Sequence, residues 1–424
     1  MQFIRMGVRA VVAAGWAVDD GAALAFAEAF YRRMLDGEPF GEAVRAARED
    51  IWLRFPGVNT WGAYQCYGDP AFSLVRNRAP AVRRHRPWHA PVELVVELDN
   101  LAQGLKASSE AAAGRDEATA ERIAGLLERI PEAQRAQWLA RADVAAALGF
   151  AWGEARFWES AIEQLENALR ASKGNCPVRA IEQLANFRVR WAAEQWRARR
   201  ERGTRESAAE AAAREALMQL GIADLELLSR HAATTERLDL LGSAWKRRAL
   251  AADTPAARLA ALEASAEAYR SAYEQGGRRE SYPFTNWVSA MLLAQRLDDD
   301  RPTLPWAELE GDIARLNEAL RKRYAEEPDF WDGAALADLE LVRLLARCVA
   351  DAPAAGRRSR RSTLPRDCAD IATAVRDAYR RVITRGASPR ERASVIENLD
   401  CLIGLLDTDL PALRKALMEI RDAL

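Results

Sequence analysis

The sequence predicts a mostly α-helical protein, an α-solenoid of stacked helical hairpins preceded by a partial α/β segment. Three observations carry that expectation. From Pro91 onward apolar residues recur at helical spacing, and the pattern breaks at Gly, Pro and Asp positions every ~15–20 residues. Before Pro91, two short runs of strand character flank two helical stretches. A short motif also returns: Leu148-Gly149-Phe150-Ala151-Trp152 recurs as Leu241-Gly242-Ser243-Ala244-Trp245.

The elements follow in order. Val8 and the run Ala10 to Ala13 are nearly continuously apolar, which predicts a strand covered on both faces in a parallel sheet. A secretory leader is a poor fit there, because Arg9 interrupts the run and Asp19-Asp20 follows at once. A helix is expected from about Gly21 to Leu35, stopped by Asp36-Gly37, and a second from about Phe40 to Phe55, ended by Pro56. Trp61 to Tyr67 reads as a strand closed by the turn Gly68-Asp69-Pro70. The stretch Arg76 to Pro91, rich in Arg, Pro and His, reads as a linker. The organisation expected is therefore an α/β segment at 1–75, a linker at 76–91 and a helical repeat region at 92–424.

Composition narrows the function. A chain of 424 residues is long for one core, so more than one unit is expected. With 61 Lys+Arg against 62 Asp+Glu the net charge is -1, so no overall basic field collects phosphates; this speaks against nucleic acid. No apolar run reaches the ~18 residues that cross a bilayer, so no membrane partner is expected. Cys66, Cys176, Cys348, Cys368 and Cys401 are scattered without a CxxC pair, and the histidines number three, which leaves no metal-ligand framework and suits a reducing cytoplasm. No P-loop, Rossmann glycine pattern or HExxH occurs, so no cofactor and no small-molecule substrate are expected. The dominance of Arg among the cations fits a GC-rich bacterial genome.

The recurring motif resembles the tetratricopeptide repeat (TPR), whose pattern is L-G-x2-Y followed by A-x3-F-x2-A. Ala161, Leu165 and Ala168 complete the first copy, with Trp152 for Tyr and Leu165 for Phe. Tyr269 and Ala272 complete the second after an insertion of about 11 residues, expected around 253–263. The small residues let two helices approach, and Trp152 and Trp245 are expected to be buried between hairpins. The period is irregular, so the resemblance is to a degenerate array.

A second resemblance covers the first ~70 residues. Gly7-Val8-Arg9-Ala10-Val11-Val12, then Trp16, Ala17, Val18 and Asp19-Asp20, is similar to a late strand of CHAT domains, the caspase-like peptidase domains associated with TPRs. Ala17 stands where that family has Pro. Phe30-Tyr31 with Leu35 and Gly37, Ala43-Val44-Arg45-Ala46-Ala47, and Trp61 with Tyr67-Gly68-Asp69-Pro70 continue the likeness in order. In that family the catalytic His and Cys precede this segment. The resemblance therefore implies that the chain is the C-terminal portion of a CHAT–TPR protein and lacks the dyad itself, with the helical repeats as a protein–protein recognition scaffold; the alternative is that the intact gene product is a cysteine peptidase whose His and Cys lie upstream.

Several residues are candidates for function. Cys66 with His85 and His89 reads as a buried thiol and solvated imidazoles rather than a rebuilt dyad. Asp19 and Asp20, past the end of the first strand, are expected either to line a pocket for a basic side chain or, for Asp20, to cap the following helix. The basic loop Gly356 to Ser362 reads as a solvated connection. By the TPR resemblance, Asn186, Arg188 and Arg190, and separately Tyr282, Asn286 and Trp287, are expected to line a groove for a protein or peptide partner.

Overall fold

The computed structural model describes residues 9–16, 18–74, 87–107, 117–203, 206–298, 304–326, 328–350, 363–387, 389–406 and 410–424. The basic loop at 356–362, His85, Ala17 and most of the expected linker lie outside them. The chain divides into two compact units, Met1–Pro87 and Trp88–Leu424.

In the first unit β1 (Ala10–Ala14) pairs antiparallel with β2 (Tyr64–Gly68), Val12 opposite Cys66. This corrects the expectation of a doubly covered parallel strand: Val11 and Val12 are half-buried, and Ala13 and Ala14 are exposed. The reason is that Ala10 and Val12 pack on the helical core while the alternate residues do not. Between the strands lie α1 (Asp20–Leu35), α2 (Phe40–Arg54) and α3 (Thr60–Ala63). The expected strand from Trp61 thus begins at Tyr64, after a helical turn anchored by buried Thr60, whose hydroxyl accepts the Asp19 N–H at 3.0 Å. Capping of α1 falls on Asp19, not Asp20: Asp19 Oδ1 accepts the Ala22 N–H at 2.9 Å. Gly37, at φ 88°, ends α1 in the left-handed conformation that glycine adopts without steric cost. Phe26, Phe30, Phe40 and Ile51 form the core, and Phe26 stacks on Tyr64 at 4.0 Å.

The second unit opens at Trp88, which is buried. Its ring Nε1 donates to the Leu126 carbonyl at 2.9 Å, and the Arg129 guanidinium lies 3.3 Å over the ring. It contains α4 (Pro91–Ala107), α5 (Glu117–Glu128), α6 (Glu132–Leu139) and then hairpins. These are α7 (Ala142–Glu154) with α8 (Trp158–Arg170), α9 (Arg179–Arg202) with α10 (Ala208–His231), and α11 (Thr235–Leu250) with α12 (Pro255–Gln275). They continue as α13 (Ser281–Gln295), α14 (Trp306–Glu326), α15 (Phe330–Ala350), α16 (Arg366–Thr384), α17 (Pro389–Leu405) and α18 (Pro411–Asp422). The described residues are mostly helical, with one small sheet, as the sequence predicts.

The two motif copies occupy equivalent places. A Cβ on Gly149 would sit 2.6 Å from Leu165, and one on Gly242 would sit 2.7 Å from Tyr269, so in each hairpin the glycine admits the large residue of the partner helix. Ser265 replaces Ala161 and adds a hydrogen bond of 2.8 Å to the Gly242 carbonyl. The extra residues of the second copy do not form a loop. They lengthen the helices, which have 16 and 21 residues in α11 and α12 against 13 and 13 in α7 and α8. Trp152 and Trp245 are half-buried rather than fully buried, each packing against two adjoining core clusters.

Candidate functional site

Alternate helices of the solenoid, α9, α11, α13, α15 and α17, turn polar faces toward a common chamber of about 680 Å³. Each face is one stripe of an amphipathic helix. On α9, Ala185, Val189 and Ala192 pack in the core while Asn186, Arg190, Glu194 and Arg197 face the chamber. On α11, Leu241 and Ala244 are buried, and Asp239, Ser243, Lys246 and Arg247 line the chamber at helical spacing. α17 returns to α11, with Leu250 filling the space over Gly404, and brings Glu397 and Asn398 to the same cavity.

The charged groups fall into two sets. At one end Arg247 pairs with Glu397 at 2.9 Å and hydrogen-bonds Ser243. Burial pushes the Glu397 carboxyl up, but the Arg247 and Arg190 cations outweigh it and bring the group down to about 2. Burial, together with Arg247 and Arg156, lowers the pKa of Arg190. Its Nε is buried without a hydrogen-bond partner. Arg156, held in a left-handed conformation at φ 62°, pairs with Glu194, which also accepts the Trp158 Nε1–H at 2.7 Å. At the other end Asp239 lies near Glu280 and Glu236. Burial first, then those two carboxylates, push its pKa up to about 7, and its Oδ1 is buried without a partner. An unmet buried polar group of this kind costs ~1–3 kcal/mol, so the chamber holds two unmet demands of opposite sign.

Lys246 adjoins Arg247 on α11. Its Nζ donates to Asn286 Oδ1 at 2.6 Å and to Asn398 Oδ1 at 3.3 Å, beside a niche of about 20 Å³ that has room for about one water. Asp338 borders that niche. Burial raises its carboxyl to about 6 against the pull of the Tyr379 hydroxyl it accepts and of Lys246.

Of the residues named from sequence, Asn186, Arg190, Tyr282 and Asn286 line the chamber. Arg188 points to the other side of α9, where it joins Glu166 of α8 to Asp224 of α10, both at 2.8 Å. Trp287 packs against Tyr273 and Phe284 in the core. Asp19 is occupied as a cap, and Asp20 is the exposed first residue of α1. Cys66 is half-buried; burial raises its thiol pKa, which keeps it from the thiolate form a nucleophile needs. Among the described residues no group of His, Cys, Asp and Glu could hold a metal, and no helix is long and apolar enough to cross a membrane.

Sequence reasoning missed Asp239, Lys246, Arg247, Asp338, Glu397 and Asn398. A signal for the first three was present: polar residues at 239, 243, 246 and 247 share the face of α11 opposite its buried one. Glu397 and Asn398 gave no such signal, because their role depends on α17 folding back over ~150 residues to α11.

Comparison with protein families agrees with the order of parts read from the sequence. Residues 1–69 match the CHAT domain, and residues 157–293 match TPR-S, Tetratricopeptide Repeats-Sensor. The TPR-S match spans α8 to α13, so α15 and α17, which complete the chamber, lie beyond it. No curated protein and no solved structure matches the chain.

Proposed function

We propose that the helical unit of this CHAT–TPR protein is a recognition scaffold that receives a segment of a protein partner in its inner chamber. The single observation that carries this reading is the chamber itself. Five helices from separate hairpins contribute polar and charged groups to one cavity of about 680 Å³, within the range of pockets that enclose a compact ligand. Groups held buried with unmet hydrogen bonds are poised to gain when a ligand arrives. TPR-type repeats suggest protein–protein interaction in general, which agrees with this use of the inner face. The Arg-rich composition and scattered thiols support a bacterial, cytoplasmic setting.

The test is selection of binding peptides from a display library on the full chain. Selected peptides should lose binding when the chamber is filled by Ser243→Trp or Ala335→Trp, and should keep it in the outward-facing Leu169→Arg. Unchanged binding by both filled variants would refute the chamber as the site.

The CHAT match at residues 1–69 favours a second reading for the intact gene product, a caspase-like cysteine peptidase whose His and Cys belong to the preceding part of that domain. On this reading the chain alone shows no thiol-dependent cleavage of fluorogenic peptides. Cleavage abolished by Cys66→Ala would overturn it.

A further inference from the structure

Each end of the chamber holds a charged group that no ion pair satisfies among the described residues. At one end is Arg190, beside Arg247 and Arg156, which are themselves paired with Glu397 and Glu194. At the other is Asp239, beside Glu236 and Glu280. Arg190 Nε and Asp239 Oδ1 are both buried and both lack a partner. Arg190 lies beside Arg247, which stands eight residues from Asp239 on α11, about 12 Å along the helix axis at ~1.5 Å per residue. Lys246, next to Arg247 on α11, is already engaged by Asn286 and Asn398. A ligand that reached both ends would supply an acceptor to the arginine and a donor to the aspartate in one binding event.

The separation restricts the form of that ligand. A helical segment rises ~1.5 Å per residue and needs about eight residues to cover about 12 Å. An extended chain covers the distance between the ends in three to four residues at ~3.3–3.6 Å each. We propose that the chamber selects an extended peptide carrying an acidic and a basic side chain about three residues apart, the acidic one received at Arg190 and the basic one at Asp239 with Glu236 and Glu280. This rests on the recognition reading above and deepens it with a charge pattern. The two charged groups act mainly on selectivity: a peptide with one charge leaves one end unmet.

The experiment measures binding of four acetylated, amidated, fluorescently labelled pentapeptides to the full-length chain by anisotropy at low salt. One carries an acidic and a basic residue separated by two alanines. One lacks the acidic group, one lacks the basic group, and one has both replaced by uncharged residues. The doubly charged peptide should bind at least about tenfold tighter than either singly charged one, roughly 1.4 kcal/mol. Asp239→Asn should abolish the preference for the basic group and keep that for the acidic group; Arg190→Gln should do the converse. Glu280→Gln and Arg197→Gln repeat the two arms should either first variant fail to fold. Equal binding of all four peptides overturns the charge pattern and leaves the recognition reading standing. Equal loss of both preferences in each variant assigns the residues a structural role and overturns the proposal. Absence of binding by all four, with peptides selected from the display library still bound in the chamber, also overturns the pattern alone; failure of both experiments removes the recognition reading with it.

Discussion

Replacing Gly242 and Gly311 by alanine should give effects of opposite sign. Both glycines lie within helices, α11 and α14. Alanine in a helix is favoured over glycine by up to ~1 kcal/mol. At Gly311, exposed and with nothing within 4 Å of the added Cβ, that gain should appear as a stabilisation of ~0.5–1 kcal/mol. At Gly242 the new Cβ would fall 2.7 Å from the Tyr269 ring. Contacts between carbons are optimal near 3.5–4.0 Å, so the ring or the helix must move by about 1 Å. Tyr269 has little room, being fully buried, and Ser265, one turn earlier on the same helix, is tied to the Gly242 carbonyl at 2.8 Å. Overpacking of this kind costs ~1–3 kcal/mol, which outweighs the helical gain and leaves a net loss of up to ~2 kcal/mol. Urea unfolding followed by circular dichroism measures both values. Hydrogen exchange should quicken in α11 and α12 and change little in α4. A stabilised Gly242→Ala variant would refute the claim that this glycine exists for close helix approach, and with it the structural equivalence of the two motif copies.

The other predictions concern the chamber and the aromatic contacts. Glu397→Gln should destabilise the protein by ~1–2 kcal/mol at pH 7: a carboxyl drawn from 4.5 to about 2 by neighbouring cations would be worth ~1.4 kcal/mol per pKa unit, discounted because the Glu397 side chain is 39% exposed; chemical denaturation measures it, and a loss under ~0.5 kcal/mol contradicts the pairing. That contribution is present above the unfolded value and fades as pH falls toward 2. Asp239 behaves oppositely. Its native pKa of about 7 exceeds the unfolded value, so its ionisation opposes folding as pH rises through 7. Asp239→Asn should therefore raise the unfolding free energy at pH 8 by ~1–2 kcal/mol after discount for solvent in the chamber, and the gain should shrink by pH 5; urea unfolding measures it, and a gain independent of pH contradicts it. Trp245→Ala should cost ~2–3 kcal/mol, less than for a fully buried tryptophan, with hydrogen exchange rising near α11 and much less near α5.

The sequence by itself determined the helices, their hairpin pairing and the two glycines on which pairing depends, because 3.6-residue periodicity and close packing are local constraints written in neighbouring residues. It also carried the CHAT-like motifs of residues 1–69, whose order and spacing need no tertiary information. A small part of the chamber was legible through the TPR resemblance: Asn186, Arg190, Tyr282 and Asn286, expected in a groove, line it. Only the tertiary structure decided which of several polar residues on one helix turn inward. Arg188 and Arg190 are two residues apart, and helix geometry sends them to different faces, one to an ion pair with Glu166 and Asp224, the other to the chamber. The same holds for the first strand, whose apolar run suggested cover on both faces while its packing gave cover on one. The return of α17 to α11 lay furthest from the sequence's reach. It joins Arg247 to Glu397 across about 150 residues, a closure set by how many hairpins stack and how much each rotates on the last, and no local pattern encodes that sum.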